Sequence, residues 1–306
     1  MSINWKGVFP AITTKFKADE TIDFPAIAKN IEAQIEAGAN GIILCGTLGE
    51  AGTLAQSEKL DILKEALKIS AGRVPIVLNI AESRTSEALK YVKEAEKIGA
   101  NGFMCLPPLR YFSDERETLA YFSAIAGATA LPIMLYNNPV DYKIEITIPM
   151  FKKLAAFKNI EAVKESTRDV SNTTRMITEF GDRFTILCGV DTLAMESLVM
   201  GAHGWVAGLV CAFPKETVTI FKLVKAGRIE EAREIYRWFL PLLELDIHPK
   251  LVQYIKLAET QTGLGTEYVR APRLILEGKE REQVLAVINS GIAKRPALPE
   301  LKAVLA

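Results

Sequence analysis

Short runs of β-branched and aliphatic residues alternate along this chain with longer stretches in which apolar residues recur at i, i+3, i+4 and i+7. The short runs are "GVFPAITT" near residue 7, "GIILCG" near 41, "PIVLNIA" near 75, "GFMCLPP" near 102, "PIMLYNNP" near 132, "IEAVKES" near 160, "FTILCG" near 184 and "GWVAGLV" near 204. Length and composition assign these to strands, whereas "FPAIAKNIEAQIEAGA" and "TSEALKYVKEAEKIGA" have helical periodicity. Strand and helix patterns in strict alternation predict a parallel sheet with helices outside it, and eight such units predict an α/β (β/α)8 TIM barrel.

A weak internal echo marks the same units. "GANG" occurs at Gly38 to Gly41 and again at Gly99 to Gly102, with "GAHG" at Gly201 to Gly204. Each copy falls where a helix should end and a strand begin, a place that favours glycine. Beyond the eighth run, "KAGRIEEAREIYRWFLPLL", "PKLVQYIKLAETQTG" and "EREQVLAVINSGI" are helical without further strands. The expected organisation is a barrel over residues 1–224 and a helical segment over 225–306. No low-complexity linker separates them, so they should pack as one unit.

Composition narrows the function. Of 306 residues 49% are apolar and 24% charged, with 37 Lys plus Arg against 37 Asp plus Glu. That balance gives no electrostatic reason to expect nucleic acid or an anionic membrane as partner. The N-terminal "MSINWKGVFPAITTKF" lacks the pattern of a secretory leader, and no apolar stretch approaches the roughly 18 to 20 residues of a membrane span. A cytoplasmic protein is expected. Cys45, Cys105, Cys188 and Cys211 form no C-x-x-C pair and read as small buried hydrophobes. Two histidines, His203 and His248, are too few for a His-rich metal centre and make a Ser-His-Asp machine improbable.

In a (β/α)8 barrel the chemistry sits at the C-terminal ends of the strands. By that rule Thr47, Tyr136, Lys164 and Asp191 converge on one face. Period two along "IEAVKES" places Ile160, Ala162, Lys164 and Ser166 together, opposite Glu161, Val163 and Glu165. A lysine facing the barrel mouth is partly desolvated, which lowers its pKa and leaves more neutral amine to attack a carbonyl carbon. The competing reading of that stretch alone is a lysine that snorkels to solvent or pairs with Glu165. Tyr136, on the neighbouring strand, can relay protons, although a strand-end tyrosine also serves as packing. "GTLGE" offers close backbone approach to a ligand and the Thr47 hydroxyl, but is neither a Walker loop nor G-x-G-x-x-G.

Taken together, "GTLGE", "YNNP" and "VKEST" resemble the dihydrodipicolinate synthase and N-acetylneuraminate lyase superfamily over nearly the whole chain. The resemblance implies that Lys164 forms a Schiff base with a 2-oxo acid and that Tyr136 relays protons. It implies that the G-x-x-G-E loop, Gly46, Leu48 and Gly49 included, binds the substrate carboxylate. It further implies no metal or organic cofactor, and a homotetramer built from dimers. Several positions depart from dihydrodipicolinate synthases: Leu48 follows Thr47 where those enzymes have a second hydroxyl, and Asp141 stands near the place of a carboxylate-binding arginine. The tyrosine that they contribute across a dimer falls near Leu109, with Tyr111 close by. Losing a bidentate arginine is not conservative, and these departures point away from dihydrodipicolinate synthesis.

The tail stretches "HPKLVQYIKLA" and "GLGTEYVRAPRL", with "GWVAGLV" and "GVDTLAMES", resemble the Δ1-pyrroline-4-hydroxy-2-carboxylate deaminases of hydroxyproline breakdown. On that resemblance Lys164 opens a cyclic imino acid, Tyr136 and Thr47 move protons, and the Leu48 and Gly49 amides hold the carboxylate. Gly189, Asp191 and Val206 form the remaining wall. Asp191 is assigned to a substrate hydroxyl or amine, with a helix N-cap as an equally good reading. A 2-keto-3-deoxy sugar acid dehydratase, a dihydrodipicolinate synthase-like enzyme or 2-oxo acid aldolase, and a non-catalytic small-acid-binding barrel remain open as alternatives.

Overall fold

The computed structural model describes residues 3–108 and 111–300. Eight strands form one parallel sheet: β1 Gly7–Pro10, β2 Ile42–Leu44, β3 Ile76–Ile80, β4 Gly102–Cys105, β5 Ile133–Asn137, β6 Ile160–Glu165, β7 Thr185–Cys188 and β8 Gly204–Ala207. All eight coincide with the apolar runs. β1 pairs with β8, Phe9 opposite Val206. At the remaining seam an Ala11–Ile43 bridge and the Ile12 N–H to Ile43 carbonyl bond, 3.0 Å, join β1 to β2. The fold is a (β/α)8 TIM barrel.

Helices follow the strands in order: α1 Phe24–Ala37, α2 Gln56–Ser70, α3 Thr85–Ile98, α4 Glu115–Ala128, the short α5 Pro139–Tyr142, α6 Ile148–Leu154, α7 Val170–Phe180, α8 Ala194–Val199 and α9 Pro214–Lys225. α1 shows how sequence sets the boundaries. The Asp23 side chain accepts the Ala26 N–H at the start, Ile27 and Ile31 face the core, and Gly38 ends the helix at φ 95°. In the repeated "GAxG" units the first glycines, Gly38, Gly99 and Gly201, all have positive φ. The last glycine of each opens a strand or immediately precedes one: a Cβ on Gly41 would lie 2.3 Å from the Phe9 ring, and one on Gly204 2.5 Å from the Gly7 carbonyl oxygen.

Beyond α9 the chain continues as α10 Ile229–Leu243, a turn at Glu244–Ile247, α11 Leu251–Thr262 and α12 Gly278–Ala293. Buried charge ties this tail to the barrel. Lys15 Nζ lies 2.6 Å from Glu259 Oε1, both side chains wholly inaccessible, and Thr13 donates to the same carboxylate at 2.7 Å. Lys256 Nζ donates to Glu50 Oε1 at 2.5 Å and to the Tyr268 carbonyl at 2.7 Å. Such pairs are poor sources of net stability but strict about geometry, since removing one partner strands a buried charge. Glu50 closes the "GTLGE" loop, so the tail sets where that loop sits.

Among the described residues no helix is long and apolar enough to cross a membrane, and no group of three or more His, Cys, Asp or Glu is placed to hold a metal ion. The four cysteines are free and buried. Leu109 lies outside the described residues; its neighbour Tyr111 is exposed.

Candidate active site

At the C-terminal ends of the strands lies a cavity of about 510 Å³. Lys164, Tyr136 and Thr47 line it, as do Gly46, Leu48, Gly189 and Val206. Two expected wall residues do not. The Gly49 carbonyl accepts the Thr14 hydroxyl at 2.7 Å behind the loop, and a Cβ there would lie 2.8 Å from Cys45 Cα, so Gly49 is required by the turn itself. Asp191 is buried behind the wall. Its carboxylate accepts Trp205 Nε1 at 2.8 Å, the Leu209 N–H at 2.8 Å and the Gly208 N–H at 3.2 Å. The expected contact with a substrate hydroxyl or amine is therefore replaced by anchorage of the chain that leaves β8. Three fixed donors hold the carboxylate in place behind the wall, where it does not line the cavity.

Lys164 and Tyr136 face one another across β6 and β5. An irregularity in that pairing absorbs Glu161, whose carboxylate takes the Trp5 indole N–H at 3.0 Å on the outer face. Lys164 is 8% exposed, and its Nζ lies 4.0 Å from the centroid of the Tyr136 ring. Pairing with Glu165 does not occur, because that carboxylate turns outward to the Thr167 N–H and the Asn172 amide, at 2.8 and 2.9 Å. Burial pushes the Lys164 amine down from the ordinary lysine range, against the opposing pull of Tyr142, Asp246 and Asp191. The result is an amine with more of its neutral, nucleophilic form near neutrality.

Burial raises the Tyr136 phenol, opposed by the hydrogen bond from Asn138. It is thus a neutral group able to donate and accept. Asn138 organises this side of the cavity: its Nδ2 donates to the Tyr136 hydroxyl at 3.1 Å and to Asp141 Oδ2 at 2.7 Å, while its Oδ1 caps α5 through the Asp141 N–H at 3.1 Å. α5 carries Tyr142 back over the cavity, where its hydroxyl meets Thr47 Oγ1 at 2.5 Å. The Tyr136 and Tyr142 rings meet edge to face, centroids 5.5 Å apart. In the "GTLGE" loop the Leu48 and Gly49 amides have no acceptor among the described residues.

Several cavity residues were not anticipated as site groups. Ser166 shares the inward face of β6 with Lys164, and its buried hydroxyl has no hydrogen-bond partner. Arg168 and Asp141 stand at the mouth, 3.8 Å apart. Asp246 and His248 enter from the turn between α10 and α11. Ser166 had a local signal, lying in "VKEST" on the inward face with Lys164, and Asp141 and Tyr142 follow "YNNP" by two and three residues. Asp246 had none, since helical periodicity does not say which turn reaches the barrel mouth.

A parallel eight-stranded barrel with a desolvated lysine and a buried tyrosine in register at its mouth has the architecture of a barrel lyase. A profile of the dihydrodipicolinate synthetase family matches residues 4–290. The 4-hydroxy-tetrahydrodipicolinate synthase of Persephonella marina is 33% identical over 288 residues, 93% of this chain and 98% of that protein. The structure of the enzyme of that name from Methylacidiphilum fumariolicum superposes with a TM-score of 0.88 at 30% identity, covering 94% of this chain and 97% of that one. A dihydrodipicolinate synthase from Acinetobacter baumannii, solved in complex with pyruvate, gives 0.88 at 26% identity, over 94% and 98% of the two chains. The chain belongs to the dihydrodipicolinate synthetase family, and is an enzyme of the superfamily that dihydrodipicolinate synthase shares with N-acetylneuraminate lyase.

Proposed function

We propose that this enzyme opens, dehydrates and deaminates Δ1-pyrroline-4-hydroxy-2-carboxylate, giving 2,5-dioxopentanoate and ammonia through a covalent imine on Lys164. The observation that carries the chemistry is the desolvated Lys164 amine beside Tyr136. The amine adds to C2 of the cyclic imine and the C2–N bond breaks, leaving a protein-bound imine with a free amine on C5. The imine acidifies C3–H. Loss of that proton to the Tyr136 and Thr47 relay gives an enamine, whose electrons expel the C4 hydroxyl as water. Tautomerisation moves the unsaturation to C5–N, and hydrolysis of the two imines releases ammonia and the aldehyde and frees Lys164.

The choice of substrate is supported by the mouth of the cavity. Asp141, an exposed carboxylate, partly neutralises Arg168, the guanidinium on the cavity wall. That setting suits one substrate carboxylate, held by the unpaired amide of Leu48 on the cavity wall, better than two. Leu48 adds an apolar contact where a second hydroxyl is absent. The reading needs neither metal nor organic cofactor. It takes the enzyme to be a cytoplasmic homotetramer of paired dimers, as the resemblance implies.

The second reading, favoured by the names of the curated relatives, is 4-hydroxy-tetrahydrodipicolinate synthesis. A 2-keto-3-deoxy sugar acid dehydratase would use the same imine and the same C4–O cleavage. One assay separates them: purified enzyme is given the pyrroline compound, a 2-keto-3-deoxypentonate, or pyruvate with aspartate semialdehyde. Ammonia and 2,5-dioxopentanoate from the first alone support the proposal. Condensation in the third with no ammonia from the first refutes it.

A further inference from the structure

Among the described residues Asp246 is the one carboxylate that the helical tail sends to the cavity wall. It arrives over β8, where only a glycine lets it close: a Cβ on Gly208 would lie 2.4 Å from Asp246 Oδ1 and 2.9 Å from Leu48 Cδ1. Gly208 thus serves two carboxylates in different ways. Its N–H goes to Asp191, and its missing side chain makes room for Asp246. No donor among the described residues serves the Asp246 carboxyl, whereas Asp191 has three. Of two neighbouring acids in a desolvated site, the proton belongs on the one without donors.

We infer that Asp246 is the acid that protonates the departing C4 hydroxyl of the Lys164-bound intermediate, an assignment that rests on the dehydration proposed above. Burial and the neighbouring Asp191 charge hold the Asp246 carboxyl well above the ordinary range, against the pull of Lys164. The other charges facing it are Asp141 and Arg168 from the cavity mouth. Hydroxide is a poor leaving group, so C4–O cleavage needs a proton delivered as the bond breaks. In the step, the enamine pair moves into C3–C4, the C4–O bond breaks, and the Asp246 proton passes to the oxygen, which leaves as water. Water at the cavity mouth returns a proton to the resulting carboxylate for the next cycle, and the C5 proton passes to solvent during tautomerisation. Protons leave C3, C5 and the C5 iminium nitrogen and are taken up at the C4 oxygen, C4 and C3, so the sequence balances without a further reagent.

The test compares wild type with Asp246→Asn on the pyrroline substrate, reading ammonia release and the intact mass of the borohydride-trapped adduct. Asparagine keeps shape but cannot give up a proton. Release should fall by about 10²- to 10⁴-fold, the usual range for general-acid catalysis, and the adduct on Asp246→Asn should be the ring-opened species still carrying its C4 oxygen. The 4-fluoro analogue, whose leaving group needs no protonation, should be turned over by the variant far better than the hydroxyl substrate, and Asp246→Glu should recover part of the hydroxyl activity. Wild-type rates in Asp246→Asn, or equal losses on the fluoro and hydroxyl substrates, overturn the assignment while leaving the substrate reading intact. A wild type inert towards the pyrroline substrate overturns the substrate reading, and this assignment with it.

Discussion

Gly189 lacks a side chain because Lys164 occupies the space one would need. A Cβ at Gly189 would lie 2.6 Å from both Cγ and Cε of Lys164 and 2.2 Å from the Ser166 hydroxyl oxygen. The Lys164 side chain, a residue on β6, is therefore shaped by the residue that follows β7. Gly189→Ala should push the amine off its line, lowering the rate of borohydride-trapped pyruvate imine by about 10²-fold, the effect of an ångström's misplacement. Overpacking should cost about 1–3 kcal/mol of stability, read by denaturant titration. Trapping at the wild-type rate would mean that Lys164 is not held by this contact.

Lys164 is a stability liability at neutral pH. Its pKa is pushed down by burial in the folded state, so between that lowered value and the free value of about 10.4 the unfolded chain holds a proton that the folded chain does not. Stability against unfolding rises with pH wherever the unfolded state binds more protons. Lys164→Met, which keeps the stem and removes the amine, should be more stable than wild type at pH 7, with the gap closing towards pH 10. A gap that widens with pH would contradict the desolvated amine.

Tyr136→Phe leaves the ring under the lysine but removes the hydroxyl that Asn138 holds. Imine formation with pyruvate should persist, while turnover falls by about 10²- to 10⁴-fold, as expected of a lost proton relay, with a smaller change in KM. Equal loss in trapping and turnover would make Tyr136 a positioning group for Lys164 instead.

How much of this could be read along the chain depends on which side chains follow strand periodicity. Lys164 and Tyr136 do, because they lie within strands whose alternate residues point inward. Asp191 does not: it follows β7 by three residues, and the side chain turns towards Trp205 and the N–H groups after β8. Tyr142 depends on a cap, since Asn138 starts α5 and that turn folds Tyr142 back towards Thr47. Asp246 depends on the docking of the whole tail, which rests on two buried ion pairs between residues more than two hundred positions apart. Eight strands could be placed from local pattern, whereas the acid on the far wall could not.

The Glu50–Lys256 pair offers a stability test of that docking. Lys256→Met should cost about 3–5 kcal/mol, because it leaves a buried carboxylate without its cation, and should raise KM by loosening the "GTLGE" loop. The double variant with Glu50→Gln should recover much of the loss in a denaturant titration. Additive losses would show that the two residues act independently.

The most direct test of the account is to reduce the enzyme with borohydride in the presence of the pyrroline substrate, and separately of pyruvate, then map the modified peptide. A single adduct on Lys164, absent from Lys164→Met, is the predicted result. An adduct on another lysine, or none with either compound while the enzyme still turns over, would contradict it.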